Sequence, residues 1–180
     1  MSKYLSEMKN HVFYCLFIIS VLILPKQVFT QAEDTTQIVT GYTFEDVWAK
    51  GLEMAAPDTT FVPMKYGNGW EEPATQSLIV CIPTADNFQK LANEDLSGNQ
   101  LPGGSIRILS KENKAINGVP YMEVFAEITE NEAPPFYIMM FYRSLGENAT
   151  LMVNAIYPKT QHERLYPKML ASFATVRVKE

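Results

Sequence analysis

Two stretches of this chain leave almost no polar face. Ser77–Ile82 reads SLIVCI and Phe136–Arg143 reads FYIMMFYR. Both are too short for a typical helix and are bounded by turn residues, so each reads as a strand covered on both sides. A chain with such strands must place layers above and below its sheet. It has 180 residues, 47% of them hydrophobic and 19% charged, enough for one domain with a full core.

Other segments supply the cover and the rest of the sheet. Thr43-Phe44-Glu45-Asp46 opens a helical pattern in which Thr43 caps and Asp46 favours the exposed amides. Phe44, Val47, Trp48, Leu52 and Ala55 then share one face, and Pro57 ends the helix. Thr59 to Tyr66 reads as a strand broken by Pro63 and stopped by the turn Gly67-Asn68-Gly69. Thr84 caps a short helix that runs toward Gly98 with Phe88, Leu91 and Ala92 inward, and residues 101–105 read as a loop. Ile106–Ile116 and Val119–Ile128 flank Asn117-Gly118, a strong hairpin signal because both residues accept positive φ. In the second of these strands Met122, Val124, Ala126 and Ile128 form one face. Tyr121, Glu123, Phe125 and Glu127 form the other, which is expected to be partly wet. Ala149–Tyr157 is the next strand. Thr160 and Glu163 could form a capping box before a helix carrying Leu165, Met169 and Phe173, with Pro167 at its start or at a kink. A short closing strand is expected within 174–178. No period repeats along the chain. The fold class is α+β: an antiparallel sheet flanked by helices in an α/β/α sandwich.

The N-terminus reads as a signal for export. Val12–Leu24 (VFYCLFIISVLIL) is uncharged, follows Lys3 and Lys9, and stops at Pro25. It is short of the roughly 20 apolar residues that a membrane span needs. The expected organisation is a signal peptide over 1–32, a flexible lead-in over 33–42 and a single globular domain over 43–180. Cleavage falls after Ala32 or Thr30, and Met8 is an alternative start. An uncleaved anchor is the competing reading. Residues Val12, Phe13 and Tyr14 before Cys15 do not fit a lipoprotein signal. These features point to a periplasmic or secreted protein with no stable membrane span after cleavage.

Charge bears on the choice of partner. The chain carries 15 Lys and Arg against 20 Asp and Glu; without Lys3, Lys9, Lys26 and Glu7 of the first 32 residues, 12 face 19, a net charge near -7. Such an acidic domain disfavours nucleic acid and anionic lipid. Cys81 is then the sole cysteine, so no internal disulfide forms.

The second half resembles a known family. INGVPYMEVFAEI, FYIMMFYRSLGENATLMVNAIYPKT and the helix ending MLASFATVRV are similar to the PsbP-like group, which includes photosystem oxygen-evolution subunits, a Ran-binding import factor and envelope proteins of the DcrB type. The shared pattern is an ING-x-P hairpin (Ile116–Pro120), a glycine turn at Gly146, a strand ended by Pro158 and a helix closing in Ser172-Phe173. It covers about residues 59–178, whereas the helix at Thr43 lies outside it. The resemblance implies a PsbP-like sandwich and non-enzymatic members that bind protein partners or support assembly. Fold likeness by itself does not transfer a function.

Chemistry leaves few traces in the sequence. His162 sits at a polar helix start where a surface histidine is ordinary, and Cys81 lies in an apolar strand without the electropositive surroundings of a reactive thiol. Glu123 and Glu127 are four residues apart on a strand, about 13 Å between backbones, too far for a glycosidase pair. No spacing fits a metal or phosphate loop, so no catalytic residue, metal or cofactor is assigned. Asn148-Ala149-Thr150 is a formal glycosylation sequon. The positive signal is aromatic: Trp70 after its flexible turn, with Tyr121, Glu123, Phe125 and Glu127, forms the expected binding surface, an aromatic patch on an open sheet face with an acidic rim. The expectation is an exported, non-catalytic binding or assembly-support protein of the cell envelope with a protein partner. The alternatives are a carrier of a small apolar ligand between sheet and helices, lined by Met122, Met139, Met140 or Met152, and an unrecognised hydrolase using His162 and Glu123.

Overall fold

A computed structural model describes residues 41–93, 104–130, 133–146 and 148–180, all within one unit, Gln37–Glu180. The signal peptide and most of the lead-in expected from the sequence lie outside the described residues. Chain order runs α1 (Phe44–Lys50), β1 (Leu52–Glu53), β2 (Val62–Pro63), β3 (Gly69–Glu72), β4 (Ser77–Thr84), α2 (Phe88–Asn93), β5 (Gly104–Ile116), β6 (Val119–Glu130), β7 (Phe136–Gly146), β8 (Ala149–Pro158), a 3₁₀ turn (Lys159–Gln161), α3 (His162–Ala174) and β9 (Arg177–Val178). A seven-stranded antiparallel sheet has the order β2-β3-β4-β8-β7-β6-β5, and β1 pairs separately with β9. Among the described residues no helix is long and apolar enough to cross a membrane.

The two polar-free runs occupy the middle of the sheet, as their composition demands. β4 lies between β3 and β8, and β7 between β8 and β6. One face packs against α1 and α3. There Leu165, Met169 and Phe173 are fully buried with Val47, Ile79, Phe141 and Tyr157. Phe173 stacks on Phe141 with centroids 4.5 Å apart and planes 9° from parallel. The other face meets α2, whose start is tied down by Thr150 Oγ1 donating to the Asp86 carbonyl at 2.8 Å. The architecture is therefore the expected α+β sheet with helices on both faces.

Turns follow local chemistry. Asn117 (φ 52°) and Gly118 (φ 79°) both adopt the left-handed conformation that a two-residue hairpin needs. At the end of β7, Gly146 lets the carbonyl of Tyr42 approach so closely that an added Cβ would collide with it. The Tyr42 amide donates to the Leu145 carbonyl at 3.1 Å, which anchors the entry to α1. Thr43 and Asp46 form the expected capping box, with bonds of 3.2 and 3.1 Å.

Several expectations are corrected. The helix from Thr43 ends at Lys50, because Gly51 takes φ 80° and turns the chain into β1. Leu52 therefore packs from a strand, and Trp48, expected on the inner face, is 70% exposed. The strand expected over Thr59–Tyr66 shrinks to Val62–Pro63 at the sheet edge, where the missing proline donor is tolerated. β3 was not expected; its Trp70 and Glu71 face Ile79 and Leu78. Gly104 and Ser105, read as loop, extend β5 opposite Glu130 and Thr129. The Thr160–Glu163 capping box does not form: a 3₁₀ turn takes Lys159–Gln161, α3 starts at His162 without a side-chain cap, and Pro167 lies inside the helix. The closing strand pairs with β1 rather than with the large sheet.

A buried carboxylate locks α3 to the edge of the sheet. Glu72, 4% exposed, accepts from Arg164 at 3.1 and 2.5 Å and from Thr60 at 2.6 Å. The guanidinium foremost holds the Glu72 carboxyl down at about 2, against an ordinary 4.5. Because the folded value lies below the unfolded one, this stabilisation is complete above about pH 4.5 and drains away as pH falls toward about 2. Glu72→Gln is expected to cost about 2 kcal/mol at pH 7, since it leaves a partly buried guanidinium half paired. Urea melts at pH 7 and pH 3 check this: the gap between wild type and variant should narrow at the lower pH.

Candidate functional site

The alternation of β6 puts Tyr121, Glu123, Phe125 and Glu127 on the face beneath α3. The partly wet face expected there is corrected: Tyr121, Glu123 and Glu127 are 3, 2 and 8% exposed, and only Phe125 is half-buried. α3 crosses this face, so the aromatic patch does not lie on an open sheet. Tyr121 belongs to the core, edge-on to Phe173 at 5.2 Å and 5.9 Å from Phe141. Trp70 is also not the free contact expected of it. It is half-buried against the core, and its Nε1 donates to the Met54 carbonyl at 2.9 Å.

A tighter group forms where β8 turns into α3. Register places Glu127, Tyr137 and Tyr157 side by side across β6, β7 and β8. The first turn of α3 then sets His162 over them and Tyr166 one turn later. The His162 ring lies 5.4 Å from Phe125, 5.1 Å from Tyr137, 6.0 Å from Tyr157 and 5.3 Å from Tyr166. Phe125 and Tyr137 are themselves 4.7 Å apart. The fully buried Tyr157 hydroxyl lies 3.0 Å from His162 Nδ1 and 3.0 Å from Met139 Sδ. Burial pushes that phenol well above its ordinary range.

Charged side chains rim the cluster. Glu127 accepts from Lys159 at 2.6 Å and Arg107 at 3.1 Å, and the Lys159 bond foremost lowers its carboxyl. Lys159 also sits over Tyr137, 5.5 Å from the ring centroid. Glu123 accepts from Lys114 at 2.7 Å and lies 3.5 Å from the Tyr166 hydroxyl. The side chains of Arg107 and Lys159 remain 67 and 44% exposed, so the mouth of the cluster presents cations beside half-buried rings.

Each carboxylate is engaged by a cation, and His162 faces a buried phenol. Among the described residues no His162–Glu123 hydrogen bond links the pair named for a hydrolase, and no three His, Cys, Asp or Glu side chains gather as metal ligands. Cys81 is buried, and desolvation raises its thiol to about 11, so it is a poor nucleophile at neutral pH. Of the methionines named for an apolar pocket, Met139 packs under Tyr157, whereas Met122, Met140 and Met152 share the opposite sheet face.

His162, Tyr166, Lys159, Arg107 and Lys114 escaped the sequence reading as members of one site. The available signal was the four-residue spacing of His162 and Tyr166, which puts both on one helix face. Nothing local indicated that this face would meet Phe125.

The solved structures similar to this chain include LpqN, described as involved in cell envelope biogenesis of Mycobacterium tuberculosis. It aligns with TM-score 0.53 and 14% identity over 72% of this chain and 83% of that one. PsbP (CyanoP) from Synechocystis sp. PCC 6803 aligns over 72% of this chain and 93% of that one, at 7% identity and TM-score 0.43. The first alignment shows a shared fold. No protein-family model matches the sequence, and no curated protein matches it either.

Two outcomes test this geometry. With Trp70→Phe, the remaining Trp48 fluorescence should be quenched strongly by iodide. With Trp48→Phe, Trp70 should be quenched several-fold less. Tyr157→Phe should cost about 1 kcal/mol in urea unfolding through loss of a buried hydrogen bond, and should shift the His162 ring resonances in NMR spectra.

Proposed function

We propose that this chain is exported and acts in the cell envelope as a non-catalytic binding or assembly-support protein. The observation that carries the reading is the cluster of Phe125, Tyr137, His162 and Tyr166, half-buried and edged by the exposed cations Arg107 and Lys159. Aromatic rings and arginine dominate the energetics of protein interfaces because they bring large contact area at low entropic cost. Glu127 orients both cations in advance, so less freedom is lost on binding. The N-terminal export pattern and the fold shared with LpqN support the envelope setting.

The fitting partner is a protein that presents an apolar side chain to the rings and a carboxylate to Arg107. The acidic neighbours Glu123 and Glu127 then act as fixed counter-charges rather than contacts. Trp70 and Tyr121 contribute by holding the scaffold.

Crosslinking in intact cells followed by mass spectrometry tests the reading and also gives the mature N-terminus. One protein should be recovered reproducibly at near-equal abundance. Arg107→Glu should reduce its recovery at least tenfold while leaving the thermal midpoint within a few degrees of wild type. Absence of a reproducible partner, or full recovery with Arg107→Glu, overturns the assignment.

A further inference from the structure

The large sheet has two edges of different kind. At one, β2 is two residues long and contains Pro63, which has no N–H to offer, so that edge is a poor template for further pairing. At the other, β5 runs for 13 residues without a proline, and none of them is buried. Among the described residues its sole neighbouring strand is β6. An antiparallel strand turns alternate N–H and C=O groups to each side. The outer side of β5 therefore presents a row of backbone donors and acceptors with no strand opposite.

Side chains give this edge a chemical preference. On the face beneath α3, register sets Lys114, Ser110 and Arg107 opposite Tyr121, Phe125 and Glu127 of β6. A bulge between Ile108 and Ser110 takes up Leu109, which stays 38% exposed, and keeps Ser110 and Arg107 on one face although three positions separate them. Ser110 is small. A long apolar side chain on an added strand can cross it to the half-buried Phe125, two strand spacings or about 10 Å away. Arg107 gives Glu127 one bond of 3.1 Å from Nη2, and its side chain remains 67% exposed, so the guanidinium fork has donors for a second carboxylate. The side chains of Glu123 and Glu127 lie behind Lys114 and Arg107, 3 and 10% exposed. An approaching strand thus meets the two cations first, with Glu112 between them. A second β5 would bring Arg107, Lys111 and Lys114 against the same three cations, offset by one Glu112 from each copy, and like charges across strands destabilise. The edge favours an acidic strand.

We propose that β5 receives an extended segment of a partner protein as an eighth strand, in the more stable antiparallel sense, with carboxylates opposite Lys114 and Arg107 and a long apolar residue opposite Ser110. In sequence that segment reads as an acidic residue, three others, an apolar residue, one other and a second acidic residue. Main-chain bonds supply affinity and alternate side chains supply selectivity. The inference rests on the binding role proposed above and names the form of the segment that meets Arg107 and Phe125.

Titration of the purified chain with the nonapeptide ETTTLVEVT, followed through backbone amide resonances in NMR spectra, tests it. Amides of β5 between Ile106 and Lys114 should shift. KTTTLVKVT should bind at least tenfold more weakly, because two opposite-charge pairs become like-charge pairs worth together about 1.4 kcal/mol. An added strand turns every second amide to its neighbour. N-methylation of one alternate set of peptide amides should therefore abolish binding, and methylation of the other set should spare it. Absence of β5 shifts at millimolar peptide overturns the proposal, as does equal loss or equal retention with the two methylation patterns. Shifts of β5 on concentrating the chain alone overturn it in favour of self-association. Any of these results beside an Arg107-dependent partner recovered from cells removes the strand and leaves the binding role standing. Failure to recover a partner removes that role, whereas the methylation result still decides whether the edge takes a strand.

Discussion

Leu165, Met169 and Phe173 lie along one stripe of α3, and all three are fully buried against the sheet. That docking decides most of what surrounds it. It closes the face of β6 that its sequence leaves half polar, so Glu123 and Glu127 lose water and must find cations. Lys114 and Arg107 answer that need from β5, and Lys159 from the 3₁₀ turn. It also carries Arg164 to Glu72 and Lys168 to Asp58, so the helix is fixed by ion pairs as well as by packing. A carboxylate withdrawn from water is costly unless paired and hydrogen-bonded, which is why the ion pairs cluster along this helix.

The same docking creates the candidate binding surface. His162 and Tyr166 contribute nothing special as separate surface residues. Over Phe125, Tyr137 and Tyr157 they complete a layer of rings whose outer edge stays within reach of solvent. Met139 and Tyr157 beneath them are fully buried, and the Tyr157 hydroxyl lies 3.0 Å from both Met139 Sδ and His162 Nδ1. The opposite face is apolar at its centre, where Asn154 sits among Val80, Met140 and Val124, and the same row ends at Lys111 on the edge strand β5. Fold likeness to LpqN does not say what either face does.

Legibility in the sequence followed the range of the interactions. The Asn117-Gly118 hairpin, the Thr43–Asp46 cap, the central strands and the buried face of α3 rest on neighbours within a few residues or on strict periodicity, and all were readable. The failures involve distant partners. In α1 Val47 takes the inner face and Trp48 turns to solvent, while Met54 supplies an acceptor that holds Trp70 half-buried. β3 is short and polar, and its pairing with β4 makes it a strand. Asn154 looked like one more residue in an alternating strand, because its isolation depends on neighbours from β4 and β7.

The sequence alone determined that the chain has a sheet covered on both faces, because SLIVCI and FYIMMFYR offer water no polar side to face. It also determined where hairpins turn and which stripe of α3 is apolar, since φ preference and side-chain period are local properties. Only the tertiary structure decided which residues share a site. His162 meets Phe125 across 37 positions of chain, and Glu72 meets Arg164 across 92. Contacts at such separations are set by strand order and helix docking, and these minimise the free energy of the whole domain rather than of any segment.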